Sequence, residues 1–285
     1  MVGGVNVEFG EPRSKVLRVG FVQTRPLFGK KKHNTGKALA LMKTRRADLF
    51  VLPELFNTGY SFKDREELKT LAEPLGSGDT CAALRAFARR KQISVVAGIA
   101  ERNGRRLYNT AVLVTAAGDV YAYRKTHLFL YEKRLFDRGE DPYKVYEVGK
   151  LRLGMLVCFD WIFPEPFREL ALKGVDLVAH PANLVLPYCQ DAMITRALEN
   201  RIFVVVANRV GTERRRGETF SFTGGSEVVS PKGVILAKAA RRGESSMTVR
   251  IDIHEARDKN VTPLNHVLKD RRVDLYEEMR KGRRR

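Results

Sequence analysis

Cysteine is scarce: Cys81, Cys158 and Cys189 are the only three in 285 residues, widely spaced and with no CxxC pair. An odd, scattered set of that kind excludes a disulfide scaffold and a zinc ribbon. The histidines (His33, His127, His180, His254 and His266) show no mutual ligand spacing, so no metal site is expected. Long apolar runs are missing as well. No stretch approaches the roughly 18 to 20 residues that a membrane-spanning helix needs. The opening MVGGVNVEFGEPRSK lacks the apolar core of a secretory signal, and the expectation is a cytoplasmic protein. Glutamine is reduced to three residues, a depletion that fits a hot habitat, where ion-pair networks are favoured over labile amides. Gly76-Ser77-Gly78 and Gly224-Gly225 begin neither a P-loop nor a dinucleotide pattern; they read as loop punctuation, and no cofactor is expected.

Acidic residues are also in deficit, 33 against 52 basic ones, for a net charge of +19. The basic clusters, among them Lys30-Lys31-Lys32, Arg105-Arg106, Arg214-Arg215-Arg216 and Arg283-Arg284-Arg285, are dispersed along the chain. No RNP-like aromatic pattern or zinc-finger spacing accompanies them. They read as solvated surface that adheres to polyanions at low salt, not as a specific nucleic-acid site.

At 44% hydrophobic, the chain can bury a substantial core. Strand-like runs alternate with helical spacing. VLRVGFVQ (16–23), DLFVLPE (48–54), ISVVAGIAE, YNTAVLVT, VYAYRK, LRLGMLVC (151–158), VDLVAH and IFVVVAN read as strands. NTGKALALMKTRRA, DTCAALRAFARRKQ, PEPFRELALKG and DAMITRALENR read as helices, the third opened by Pro164 and stopped by Gly174. SEVVS, VILAKA and SMTVRID complete the pattern. There is no linker or repeat, so a single α/β domain is expected, its sheets covered on their faces. Residues 1–15 form an N-terminal extension, 16–276 the domain with a docked C-terminal tail, and 277–285 a basic tail. Val261, Leu264, Val267, Leu268 and Leu275 are the tail's apolar anchors.

Three strand ends carry reactive side chains: Glu54 after DLFVLP, Lys125 after VYAYR, and Cys158 closing LRLGMLVC. The carboxyl ends of strands are where α/β sheets build sites. A thiol, a carboxylate and an ammonium together suit acyl transfer through a thioester. Taken singly, each has a plainer reading, as a core cysteine, a capping acid and a solvated lysine.

The surrounding motifs narrow the choice. LPELFNTGY, YRKTHLF and GMLVCFDWIFPE, in this order, resemble the nitrilase (carbon–nitrogen hydrolase) superfamily over approximately residues 16–276. YEKRLFDRG, HPANL, RALENR and the tail LNHVLKDRRVDLY match as well. CFDWIFPE places the resemblance nearest the archaeal nitrilase and aliphatic-amidase-like branch. The resemblance implies a four-layer αββα sandwich, a homodimer or larger assembly, and a Glu–Lys–Cys triad. Cys158 would be the nucleophile and Glu54 the general base. Lys125 would stabilise the oxyanion together with the Phe159 N–H, and Glu132 would position Lys125 and the substrate. The ammonium is expected to lower the thiol pKa, and the carboxylates to keep the ammonium charged. Tyr60, Phe129, Trp161 and Asn183 lie in or beside the motifs and are candidate pocket residues. The implied substrate is a small nitrile or aliphatic amide. The alternatives are N-carbamoyl amines or amino acids cleaved by the same triad, or a polyanion-binding protein without catalysis. His127, two positions after Lys125, can approach the site, but the base role falls to Glu54. Cys81 reads as core and Cys189 as a bystander.

Overall fold

The computed structural model describes residues 16–280; the extension 1–15 and residues 281–285 of the basic tail lie outside the described residues. In chain order the strands are Val16–Gln23 (β1), Leu49–Val51 (β2), Ser94–Asn103 (β3), Arg106–Val114 (β4), Val120–Arg124 (β5), Val145–Val148 (β6) and Leu151–Met155 (β7). Then follow Leu177–Pro181 (β8), Phe203–Ala207 (β9), Val210–Arg215 (β10), Glu218–Thr223 (β11), Glu227–Val229 (β12), Ile235–Lys238 (β13) and Ser245–Asp252 (β14). The helices that concern the site are Lys31–Lys43 (α1), Arg65–Leu71 (α2), Asp79–Lys91 (α3), Glu132–Leu135 (α4), Pro164–Leu172 (α5) and Cys189–Asn200 (α6).

Two six-stranded sheets result, in the orders β14-β1-β2-β3-β4-β5 and β13-β12-β9-β8-β7-β6. The period of two in a strand explains how they stack. In DLFVLPE, Leu49 and Val51 belong to the core between the sheets, with Leu153, Leu177, Ala179 and Val205. Phe50 and Leu52 point the other way, onto Ala38 and Met42 of α1 and Leu84 and Phe87 of α3. Phe167 and Leu170 of α5 and Met193 and Ala197 of α6 cover the second sheet. Each fully buried Leu or Phe contributes about 1.5 to 3 kcal/mol of transfer free energy, so both faces of each sheet stabilise the stack. The architecture is the αββα sandwich.

The strand over VLRVGFVQ spans the expected residues. LRLGMLVC does not remain a strand to its end. β7 stops at Met155, and Cys158 opens a 3₁₀ turn, Cys158–Ile162, with φ +44°. A left-handed backbone cannot continue an extended strand. The short edge strand β6, helix α2 and the β10–β11 hairpin were absent from the sequence pattern. The hairpin turns at Arg216 and Gly217, both at positive φ (+59° and +76°), the geometry of a tight two-residue connection. The tail docks only in part. Leu268 packs against the intersheet core, whereas Val261, Leu264 and Leu275 are 60%, 91% and 64% exposed. No helix among the described residues is long and apolar enough to cross a membrane.

Candidate active site

β2 pairs parallel with β3, and the antiparallel steps β3–β4–β5 return β5 to the same direction. The carboxyl ends of β2 and β5 therefore lie on one edge of the first sheet. Pro53 cannot donate to a ladder, so β2 ends and the chain turns at Glu54 and Leu55, the latter at φ +47°. Gly98 of β3 makes room for that turn: a Cβ there would lie 2.4 Å from the Glu54 Cα. Lys125 follows β5 directly. From the second sheet, β7 delivers Cys158 and its parallel neighbour β8 delivers Asn183.

These ends converge on a buried cluster. Lys125 Nζ lies 2.8 Å from Glu54 Oε1 and 3.0 and 2.8 Å from the two oxygens of Glu132. Glu54, Lys125 and Glu132 are all buried, and Cys158 is 6% exposed. Asn109 on β4 donates to Glu54 Oε1 at 2.7 Å, and the Phe129 N–H to Glu132 Oε2 at 3.1 Å. Glu54 Oε2 has no hydrogen-bond partner among the described residues. Burial acts to lower the Lys125 pKa, but the Glu132 and Glu54 carboxylates outweigh it and hold it well above its ordinary value. Burial raises the Glu132 carboxyl above the usual carboxylate range, against the pull of Lys125.

The thiol departs from the sequence expectation. Burial first, then the Glu54 carboxylate, pushes Cys158 well above its ordinary value; Lys125 and the Asn183 N–H pull it down without prevailing. Burial, with two carboxylates against one ammonium, favours the neutral thiol over the thiolate.

Beside the thiol lies a narrow cleft lined by Phe129, Cys158, Phe159, Trp161, Asn183 and Leu184–Leu186. Of the residues the sequence offered for substrate binding, Phe129, Phe159, Trp161 and Asn183 meet there, and no lining side chain other than the thiol ionises. The Phe129 and Phe159 rings stand 4.9 Å apart. Both polar atoms of the Asn183 amide are buried without a partner. Tyr60 stands apart from this wall. It lines the neighbouring cleft together with Glu132.

A model of the carbon–nitrogen hydrolase family matches residues 18–260. The chain belongs to the carbon–nitrogen hydrolase family. It is similar to a nitrilase of Pyrococcus abyssi, 43% identical over 264 residues, which are 92% of this chain and 99% of that protein. It also resembles an (R)-stereoselective amidase of Pseudomonas sp, 34% identical over 264 residues, 91% and 93% of the two chains. Among solved structures, a cysteine-to-alanine mutant of the Nesterenkonia AN1 amidase from the nitrilase superfamily superposes with a TM-score of 0.76 at 27% identity, covering 94% of this chain and 98% of that one. A glutamate-to-glutamine mutant of the same amidase, TM-score 0.74 at 27% identity with the same coverage, shows covalent addition of the acetamide moiety of fluoroacetamide at the active site cysteine.

In this hydrolase the strained turn at Cys158 is held by two groups that sequence reasoning missed, although both stand in quoted motifs. Asp160 is fully buried and accepts from the Val157 N–H (2.8 Å), the Tyr123 hydroxyl (2.8 Å) and His127 Nδ1 (2.7 Å). It thereby ties the Cys158 turn to the strand that leads into Lys125. His127 is engaged there and stacks on Phe163 at 3.9 Å. His180 donates from Nε2 to the Cys158 carbonyl at 3.0 Å. Asn109, a lone amide in the apolar run YNTAVLV, was the remaining legible signal. Cys81 and Cys189 are buried in the packing, Cys81 pushed up to about 12 chiefly by burial.

Burial lowers the His180 pKa from 6.5 to about 4. The folded state therefore holds the neutral ring, and the unfolded chain binds the proton between those values. The resulting stability, roughly 3 kcal/mol, is present above about pH 6.5 and is lost as pH falls towards 4. Urea unfolding across pH 4–7 is expected to show this decline in the wild type and a flatter one in His180→Gln. Equal slopes would assign the decline to other groups.

Proposed function

We propose that this hydrolase cleaves the carbon–nitrogen bond of small, uncharged nitriles or aliphatic amides through a thioester on Cys158, releasing ammonia and a carboxylic acid. The observation that carries the reading is the buried Glu54–Lys125–Glu132 cluster beside a thiol that opens into an apolar cleft. For an amide, Glu54 Oε2 takes the Cys158 proton as Sγ adds to the carbonyl carbon. Lys125 and the Phe159 N–H, near the start of a 3₁₀ turn where N–H groups lack intrahelical acceptors, receive the oxyanion. Collapse expels ammonia, which leaves with the proton returned by Glu54. Glu54 then deprotonates water, and its attack on the thioester frees the acid and restores the thiol. A nitrile first gives a thioimidate, with the thiol proton passed to nitrogen. Water addition and loss of ammonia lead to the same thioester. The Nesterenkonia amidase adduct supports an attacking cysteine in this family.

N-carbamoyl compounds with a charged end gain no support, since the cleft walls offer that end no charged partner. The test is ammonia release from neutral nitriles, primary amides and N-carbamoyl compounds, with Cys158→Ala as the blank. Turnover restricted to charged carbamoyl substrates would overturn the substrate reading, and ammonia from the blank would overturn the thioester.

A homodimer is part of the same proposal. Val261, Leu264, Leu275 and Tyr276 of the tail are exposed, as are Ile162, Leu172 and Leu198. Apolar surface of that kind is best covered by a second copy. Light scattering is expected to give at least twice the 32.3 kDa chain mass; a monomer at micromolar concentration would refute it.

A further inference from the structure

Three separate segments meet at one groove of the surface: the residues after β1, the β10–β11 hairpin, and the loop from β13 to β14. The groove holds about 610 Å³ of space open to water, the scale of a small-molecule site. Arg25, Arg241 and Arg242 line it, together with Thr212, Ser221 and Phe222. In the sequence Arg241-Arg242 is one more dispersed basic pair; only the fold brings Arg25 to it.

The loop that carries two of these arginines is firmly held. Gln23, fully buried on β1, donates from Nε2 to the carbonyls of Ala240 (2.8 Å) and Gly243 (2.9 Å), so the chain is pinned on both sides of Arg241 and Arg242. Gln23 Oε1 accepts in turn from the Ser226 N–H and hydroxyl, each at 3.0 Å. Gly224 allows the loop to come close: a Cβ there would lie 2.5 Å from the Arg241 carbonyl oxygen. Gly211 does the same for Arg25, whose Cγ would stand 2.9 Å from a Cβ at that position.

The charge in the groove is unbalanced. Its one carboxylate, Glu244, is already engaged: Oε1 accepts from the Arg25 N–H at 2.8 Å, and Oε2 pairs with Lys37 at 2.5 Å. Among the described residues, no carboxylate pairs with the guanidinium of Arg25, Arg241 or Arg242. Thr212 and Ser221 share one hydroxyl hydrogen across 3.3 Å, which leaves the other for a further acceptor. A guanidinium is a planar fork of donors that matches the oxygens of a phosphate group. Three of them in one place favour an anion with two or more charges over a monocarboxylate. They gather in one groove instead of forming a stripe, which suits a compact anion better than a polymer backbone.

We propose that this groove binds a small phosphate-bearing anion, held by Arg25, Arg241 and Arg242 with a hydroxyl of Thr212 or Ser221 as a further donor. None of these residues belongs to the Cys158 cluster, so the site stands apart from the hydrolytic reading and its test needs no turnover.

The experiment is calorimetric titration of pyrophosphate into the full chain at about 0.15 M salt, where diffuse attraction to the +19 chain is screened. One-to-one binding is expected. Arg25→Gln is expected to weaken it about tenfold, and Arg241→Gln combined with Arg242→Gln about a hundredfold. The control, Arg105→Gln with Arg106→Gln, removes two charges from outside the groove and is expected to change the affinity less than about twofold. Titrations of inorganic phosphate and phenyl phosphate distinguish a free ion from an ester, and either one supports the site if the variants weaken it in the same order. The arginines are exposed, and the Arg25 and Arg241–Arg242 variants are independent, so one that failed to fold would leave the other to decide. No saturable binding of any of the three probes, or equal weakening by the groove and control variants, would overturn the proposal. So would a single-stranded oligonucleotide that binds more tightly per phosphate than pyrophosphate, since the groove would then be part of a nucleic-acid surface.

Discussion

Lys125→Met is expected to reduce turnover by more than about a thousandfold while also costing about 3 to 5 kcal/mol of stability. Both effects have one cause. Among the described residues the Lys125 ammonium is the only cation that pairs with Glu54 and Glu132, and all three side chains are buried. Methionine preserves the volume but leaves two acids facing each other in a medium that cannot support two negative charges. A proton then binds between them, which disables the base as well as removing the oxyanion partner. Lys125→Arg is expected to fail similarly, because a planar fork cannot replace a point charge between three carboxylate oxygens. Pairing Lys125→Met with Glu132→Gln removes the excess charge and is expected to recover most of the stability and none of the activity. Denaturant titration and ammonia release on the same samples separate the two effects. A Lys125→Met protein with more than a hundredth of wild-type kcat would refute the oxyanion role.

Replacing Cys158 with alanine is expected to lower ammonia release by more than about a thousandfold with the fold retained. The stability of that series carries separate information. Cys158 stands at φ +44°, a conformation that costs an L-residue about 1 kcal/mol or more. Cys158→Gly is therefore expected to be equally inactive but more stable than Cys158→Ala by about 1 kcal/mol. Such an excess would mean that the nucleophile turn stores strain for geometry's sake, held down by Asp160 and His180; its absence would mean that the turn is relaxed. Alkylation is expected to mark Cys158 alone, since it borders a cleft while Cys81 and Cys189 are packed in the core. Because its surroundings favour the neutral thiol, labelling is expected to be slow at neutral pH and to accelerate into the alkaline range. Fast labelling at neutral pH would show that the two carboxylates do not govern it.

The covered strands were legible because their signals are local. In DLFVLPE successive side chains point to opposite faces and both sets are apolar, which predicts a strand covered on both sides; that one cover is helices and the other a second sheet was what the resemblance implied. Glu54 and Lys125 stood out because each follows an apolar strand, and the ends of β2 and β5 lie on one edge of the first sheet; Cys158 reaches them from the second sheet, which no local signal gives. Asn109 and Asp160 were visible as isolated polar residues in apolar or motif contexts, but nothing local says what they touch.

The electrostatics were not legible. An ammonium near a thiol suggests a lowered thiol pKa; the opposite shift appears because the thiol is buried and, after that, because Glu54 and Glu132 stand beside it, which only folding decides. The Arg214–Arg216 run shows the same limit. As sequence it is a charge cluster, and its use depends on a hairpin folding against a loop some 150 residues earlier. Periodicity and strand-end position are properties of neighbouring residues, so the sequence by itself determined strands covered on both faces and singled out the candidate side chains. Burial and charge balance depend on residues that are neighbours only in space. The tertiary structure alone decided those, because the free energy of a charge is set by everything within a few ångströms of it.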